Sequence, residues 1–231
     1  MKEPLPDIVV RNTRPEDFPA IIELSKAVYS FPPYWTEKQL TSHLEIFPEG
    51  QFVAIDPTSE SLVGMAASLI IRWDDYDLHG SWKDFTDHGM FTNHDPVRGR
   101  TLYGGEIMVS PDVQRRGVGS AIYAARRRLV EQLKLPRLRA GARLRGYYRH
   151  ADQMSPEEYT IKVVRGEIKG MTLAFQLKHG FRVLAVVSDY LPGDPESLGH
   201  VAVIEWINEE VATPSDYGPR NSKFDPPLPG Q

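Results

Sequence analysis

Apolar positions along this chain recur at two spacings, and the switches between them mark out the elements. Ile8, Val9 and Val10 form a short apolar run that predicts a first strand. Thr13, Pro15, Glu16 and Asp17 are helix-start residues, and Phe18, Ile21, Ile22, Leu24 and Val28 continue at helical spacing to Tyr29. The run Phe31-Pro32-Pro33-Tyr34 ends that helix, and Thr36-Glu37 opens a second through Leu40, Leu44 and Phe47. Residues 52–55 and 62–71 read as two strands around the turn Asp56-Pro57-Thr58-Ser59, which is hairpin chemistry. Residues 74–100 mix acids, Gly, His and aromatics without a period, and residues 101–109 form the next strand.

From Gly117 the period is helical again. Val118, Ile122, Ala125, Leu129 and Leu133 make an apolar stripe, which predicts that Arg126, Arg127 and Arg128 face away from the core. Pro136 ends the helix, and residues 138–144 read as a strand. A second irregular stretch, 145–170, carries a helix start at Ser155-Pro156-Glu157-Glu158. Residues 171–178 predict a helix stopped by Gly180, and residues 181–191 and 200–207 predict two closing strands. The order is β-α-α-β-β-β-α-β-α-β-β. It implies an α+β, or mixed α/β, fold with a mostly antiparallel sheet and one crossover helix after the Gly117 turn. The domain is expected to span 1–210 with insertions at 74–100 and 145–170. From Val211 onward the Pro-, Ser- and Gly-rich composition predicts a poorly ordered tail, 211–231.

Composition narrows the class. The 231 residues are 41% hydrophobic and 25% charged, enough to bury a core, and no run approaches a membrane span. The apolar core of a signal peptide is missing from the first residues, and there is no cysteine. Thiolate metal sites, disulfides and a cysteine nucleophile are therefore excluded, and a cytoplasmic location is expected. Net charge is −4, yet residues 114–149 hold eleven Lys and Arg against one acid, Glu131, which leaves −14 on the rest. So basic a segment suits a polyanion, either a phosphate-rich cofactor or nucleic acid.

The chemistry concentrates at Gln114-Arg115-Arg116-Gly117-Val118-Gly119, where a strand passes through a short Arg- and Gly-rich turn into a helix. First-turn amides lack intrahelical partners, and the helix dipole adds positive potential, so such a turn can cradle a diphosphate. Gly-x-Gly at a helix start also serves plain packing. A Walker loop is excluded because no lysine follows the glycines, and a Rossmann fingerprint because Ile122 stands where its third glycine belongs and the next strand ends in Arg145.

The stretch from Val109-Ser110-Pro111-Asp112-Val113 through Gln114-Arg115-Arg116-Gly117-Val118-Gly119-Ser120 resembles the acetyl-CoA motif of the GNAT superfamily of N-acetyltransferases, Gln/Arg-x-x-Gly-x-Gly/Ala. The preceding strand, the following helix and a later helix ending Lys178-His179-Gly180-Phe181 fall in the family's order, over about residues 8–208. Residues 147–159 and 172–177 further resemble the GNAT module fused to nitrilase-type carbon-nitrogen hydrolases. The 231 residues leave no room for a second catalytic domain, so a stand-alone relative is expected. The resemblance implies a splayed, mostly antiparallel sheet flanked by helices, and acetyl-CoA as cosubstrate with no metal. It also implies direct transfer of acetyl to an amine of a small molecule or protein in a ternary complex. Backbone amides of Gln114, Arg115, Arg116, Gly117, Val118, Gly119 and Ser120 would hold the pyrophosphate. Met108 and Val109 would pair through their backbones with the pantetheine arm, and Phe175 would pack near the thiol end. GNAT relatives often dimerise through sheet edges or C-terminal strands, which makes a homodimer one expectation.

Glu106, three residues before Val109 on the strand lining the acyl site, is the candidate base. The family's usual acid is a tyrosine four residues before the glycine of the Gly-Phe pair, and here that position is Gln176. Tyr147, Tyr148 or Tyr159 from the second insertion, or water, would have to replace it. This departure motivates an alternative reading, a CoA-binding sensor that has lost catalysis. Asp74, Asp75, Asp77, His79, Asp87, His88, His94 and Asp95 lack the spacing of a zinc site. Their segment reads better as a substrate lid whose carboxylates would attract a cationic amine. A nucleic-acid function ranks last, because the motifs of such modules are missing.

Overall fold

The structure, a computed structural model, describes residues 8–29 and 31–226. Thirteen elements follow those read from the sequence, the helix started at Ser155 included, with one addition. They are β1 (Val9–Asn12), α1 (Phe18–Val28), α2 (Glu37–Ile46), β2 (Gln51–Ile55), β3 (Leu62–Ile71), α3 (Trp82–Thr86), β4 (Thr101–Val109), α4 (Val118–Gln132), β5 (Arg137–Arg143), α5 (Pro156–Val164), α6 (Met171–Lys178), β6 (Arg182–Val187) and β7 (Val201–Ile207). The addition is α3, a short helix inside 74–100. Ser81 caps it by accepting from the Asp84 N–H, while the Asp84 carboxylate accepts from the Ser81 N–H in return. The strand expected over 181–191 is shorter, ending at Val187.

All seven strands form one sheet in the order β1-β2-β3-β4-β5-β7-β6. Every neighbouring pair is antiparallel except β4 and β5, which run parallel because α4 carries the chain across between them. Helices cover both faces. Ile21, Leu24 and Leu40 from α1 and α2 pack with Val53, Met65 and Met108 on one side. On the other, Ile122, Leu129 and Leu173 from α4 and α6 pack with Ala66, Leu138 and Ile204. β3 is buried from Val63 to Ile71, as a central strand covered on both faces should be.

The sheet opens at one place. β4 and β5 pair only from Thr101–Arg137 to Gly104–Ala140, although β4 continues to Val109 and β5 to Arg143. A bulge in β4 starts the divergence: Ala67 faces Glu106 and Ser68 faces Gly104, so Gly105 is the extra residue. Such a bulge bends its strand. Glycine is required there because an added Cβ would lie 2.8 Å from the Phe91 ring.

The expected poorly ordered tail is corrected over residues 211–226, which fold back as a strap; residues 227–231 lie outside the described residues. Asp216 is buried and takes an ion pair from Arg100 at 2.9 Å, while its carbonyl accepts from Arg137. The Gly218 N–H donates to Glu205 on β7, which also binds Arg139 and Arg182. Phe224 is 5% exposed and joins the core on the α4–α6 side. Composition misleads here because a few buried anchors, not average polarity, decide where a strap docks. Phe224→Ala should therefore lower the unfolding free energy in urea by about 3 kcal/mol, as for other large-to-small core changes. A freely solvated tail would leave it unchanged.

Candidate functional site

Between Val113 and Val118 the chain reverses through two left-handed residues, Arg115 (φ +65°) and Gly117 (φ +93°). A glycine meets the second of these at little cost. The reversal aims the first turn of α4 outward, with the uncapped amides of its N-terminus at the surface of a cavity. Nothing lies within 4 Å of a Cβ built on Gly117, whereas one on Gly119 would meet the Phe175 ring at 2.9 Å. Gly117 thus faces open space and Gly119 allows α6 to close against α4.

The cavity has a volume of about 1040 Å³ and runs from this turn along the opening between β4 and β5. Gln114, Arg115, Gly117, Val118, Gly119 and Ser120 line it, as expected. Arg116 does not: its charge lies toward Asp56 in the β2–β3 turn, whose carboxyl the Thr58 N–H, chiefly, and Arg116 hold below its ordinary range. Glu106 is the only carboxylate among the described lining residues, against cations that include Arg115, Arg143, Lys169 and Lys178. So basic a lining favours a ligand rich in negative charge.

Glu106 lies on β4 just past the bulge, and its Oε1 accepts from the Tyr29 hydroxyl at 2.7 Å and from the Ile107 N–H at 2.9 Å. Burial raises its pKa above the ordinary carboxylate value, outweighing the opposing bonds from Tyr29 and Ile107 and the charge of Arg143. Arg143 is itself tied to Asp194 at 2.7 Å and Glu196 at 3.2 Å, with its guanidinium 5.2 Å from the Tyr29 ring centre. Tyr29 and Arg143 were not found by sequence reasoning, because 77 residues separate Tyr29 from Glu106.

β4 leaves a row of backbone groups without a strand partner where β5 swings away. The Ser110 N–H bonds Val63 O on β3 at 2.9 Å. Backbone groups alternate along a strand, so Met108 also faces β3 while Ile107 and Val109 face the opening. Met108 is consequently corrected as a contact for the pantetheine arm: it is buried in the core on the α1 side, and its carbonyl points toward Gly64. Val109 and Ile107 both line the cavity. Phe175 also lines the cavity, with its ring over Gly119 at the turn.

The expectation that Arg126 faces solvent is overturned. Arg126 is 1% exposed, donates to Ser68 Oγ at 3.0 Å and Ala67 O at 2.7 Å, and also reaches Glu106 O. It satisfies the carbonyls freed at the β4 bulge, a demand that helical periodicity cannot reveal. Arg137, Arg139 and Arg143 likewise turn inward to Asp216, Glu205 and Asp194. Much of the basic segment is thus turned to internal partners.

At the family's tyrosine position, Gln176 is 2% exposed and its Nε2 donates to the Tyr123 hydroxyl at 2.9 Å. Tyr147 and Tyr159 donate to Met154 O and Arg145 O, and neither lines this cavity; nor does the exposed Tyr148. The carboxylates of 74–100 do not line it either. Asp84 caps α3, Asp95 pairs with Arg98, and the segment presents Trp82, Lys83 and His88 instead. The Trp82 indole N–H donates to the bulged Gly105 carbonyl at 2.7 Å, so the insertion is fastened to the site by an aromatic residue. Among the described residues no group of three or more His, Cys, Asp or Glu is placed to hold a metal ion, and no helix is long and apolar enough to cross a membrane.

Comparison with known proteins agrees with this architecture. The chain is 37% identical over 216 residues to the probable hydrolase YhcX of Bacillus subtilis, which is 94% of this chain but 40% of that protein's length. It is 32% identical over 206 residues to the uncharacterized N-acetyltransferase YkwB of the same organism, covering 87% of this chain and 89% of that one. Among solved structures, the GphF GNAT-like decarboxylase in complex with isobutyryl-CoA superposes with a TM-score of 0.69 at 21% identity, over 86% of this chain and 98% of the other, and shares its fold. The model of the acetyltransferase (GNAT) family matches residues 18–152, and with the turn, the opened sheet and YkwB this establishes that the chain belongs to the GNAT family of acetyltransferases.

Proposed function

We propose that this chain transfers an acetyl group from acetyl-CoA to an amine by direct attack in a ternary complex. The observation that carries the reading is that one cavity joins the Gly117 turn, the open edge of β4 and the half-buried carboxylate of Glu106. The α4 amides would take the diphosphate, and the Ile107 and Val109 backbones would flank the pantetheine arm. Glu106, with its pKa raised, would accept the amine proton directly or through a water. Tyr29 and the Ile107 N–H hold that carboxylate in one orientation, which spares the reaction its reorganisation.

The acceptor would enter from the end lined by Phe31, Trp35, Trp82 and Leu191. Such a wall suits a small amine with an apolar or aromatic body, since the insertion's acids turn elsewhere. A second reading, a CoA-binding module without catalysis, is favoured by Gln176 alone. Calorimetry with acetyl-CoA followed by thiol release over phenethylamine, spermidine and a lysyl peptide tests both. Binding with release on phenethylamine is expected. Binding without release on any amine would establish the sensor, and failure to bind would remove both readings.

A further inference from the structure

Glutamine cannot serve as an acid, yet its neighbour can. Tyr123 stands on α4, one turn beyond Gly119, 1% exposed, and lines the same cavity as Glu106 and the phosphate turn. Its hydroxyl lies 2.9 Å beyond the Gln176 amide nitrogen. A tyrosine side chain at 176 would extend past the end of a glutamine, into the region that this hydroxyl now occupies. The amide nitrogen is the donor in that bond, so the hydroxyl's own hydrogen is not spent on Gln176 and meets no protein acceptor among the described residues. With Nε2 as the donor, the amide oxygen faces the other way and has no hydrogen-bond partner among the described residues.

The ring is held on several sides. Phe175 and Phe181 pack at centroid distances of 5.8 and 5.2 Å, and His179 at 5.8 Å. The charged and titratable groups around it are Arg126, 6.0 Å from the ring centre, Arg127 on the same helix and His179 on α6. Burial raises the Tyr123 pKa, while Arg126, the Gln176 bond and Arg127 oppose the rise. The phenol therefore keeps its proton at neutral pH, and nearby cations lower the cost of releasing it.

We propose that Tyr123 is the proton donor to the departing CoA thiolate, with Gln176 as its positioning residue. The assignment rests on the acetyl-transfer reading. In the step, the amine nitrogen forms a bond to the acetyl carbon, the carbon–sulfur bond breaks and its electron pair stays on sulfur. The Tyr123 Oη–H proton passes to that sulfur, and the surplus amine proton passes to Glu106. Solvent then returns a proton to Tyr123 and takes one from Glu106, so no net charge is left on the protein.

Because the chain has no cysteine, bound CoA is the sole thiol in a protein–CoA mixture and can be titrated selectively. Iodoacetamide alkylation of CoA bound to the full chain, followed from pH 6 to 10, reports the midpoint of thiol ionisation. A hydroxyl that hydrogen-bonds the sulfur stabilises the thiolate. Tyr123→Phe should therefore raise the midpoint by about one pH unit, a tenfold loss of thiolate at neutral pH. CoA affinity by calorimetry should stay within about threefold, since the ring and its packing remain. Gln176→Leu should move the midpoint less, in the same direction. With any amine that the wild type acetylates, kcat of Tyr123→Phe should fall about tenfold or more at unchanged KM for acetyl-CoA. An unchanged midpoint in a Tyr123→Phe protein that still binds CoA would overturn the Tyr123 assignment alone. A wild type that binds no CoA would overturn the acetyl-transfer reading and this inference with it.

Discussion

Glu106→Gln is expected to lower acetyl transfer by at least about a hundredfold, the usual range for loss of a positioned base. The substitution keeps size and shape, and the new amide oxygen can still accept from Tyr29 and the Ile107 N–H. Acetyl-CoA affinity should therefore stay within about threefold, because Glu106 lies beyond the phosphate turn and makes no binding contact there. The pH profile supplies a second signature. Burial raises the Glu106 pKa, so the ionised, proton-accepting form is lost as pH falls through a midpoint above the ordinary carboxylate value. In the wild type, kcat/KM should rise with pH through that midpoint, and the glutamine variant should lack the limb. Thiol release measured from pH 5 to 9 for both proteins decides the matter. Full activity in Glu106→Gln would mean that the amine loses its proton to water, and the carboxylate would then be structural.

Gly117→Glu should weaken acetyl-CoA binding by more than about a hundredfold, through like-charge repulsion at a site built for a diphosphate. Gly117 adopts φ +93°, so any L residue adds backbone strain of roughly 1 kcal/mol. Strain alone is the effect expected of Gly117→Ala, since nothing stands within 4 Å of its new Cβ. The glutamate would project into that same open space, where bulk and charge both oppose a phosphate. Calorimetry on the two variants separates these contributions: alanine should cost a few-fold in affinity, and glutamate should remove detectable binding. Gly119→Val gives a contrasting outcome, because its side chain would strike the Phe175 ring and push α6 from α4. Equal affinity in wild type and Gly117→Glu would refute the turn as the phosphate site.

Much of the fold was legible in the chain itself because it depends on near neighbours. The helical stripe Val118, Ile122, Ala125 and Leu129, the apolar run of β3 and the glycine stop at Gly180 are local signals, and each produced the expected element. The turn at Gly117 was legible for the same reason: its geometry is set by six consecutive residues and the helix they start. Gln114, Arg115 and Gly117 to Ser120 accordingly line the cavity together.

What tertiary structure alone decided is every pairing between distant positions. Periodicity placed Arg126 on the polar side, yet the carbonyls stranded by the β4 bulge drew it inside. Composition marked 211–231 as a tail, yet within its described part Asp216, Gly218 and Phe224 have buried partners on β5, β7 and the core. The orientation of Glu106 depends on Tyr29, and the hydroxyl beside Gln176 comes from another helix. A local pattern reports which groups prefer burial. It does not report which desolvated polar group will find a partner, because that is settled only when separate segments meet and each buried donor or acceptor must be satisfied.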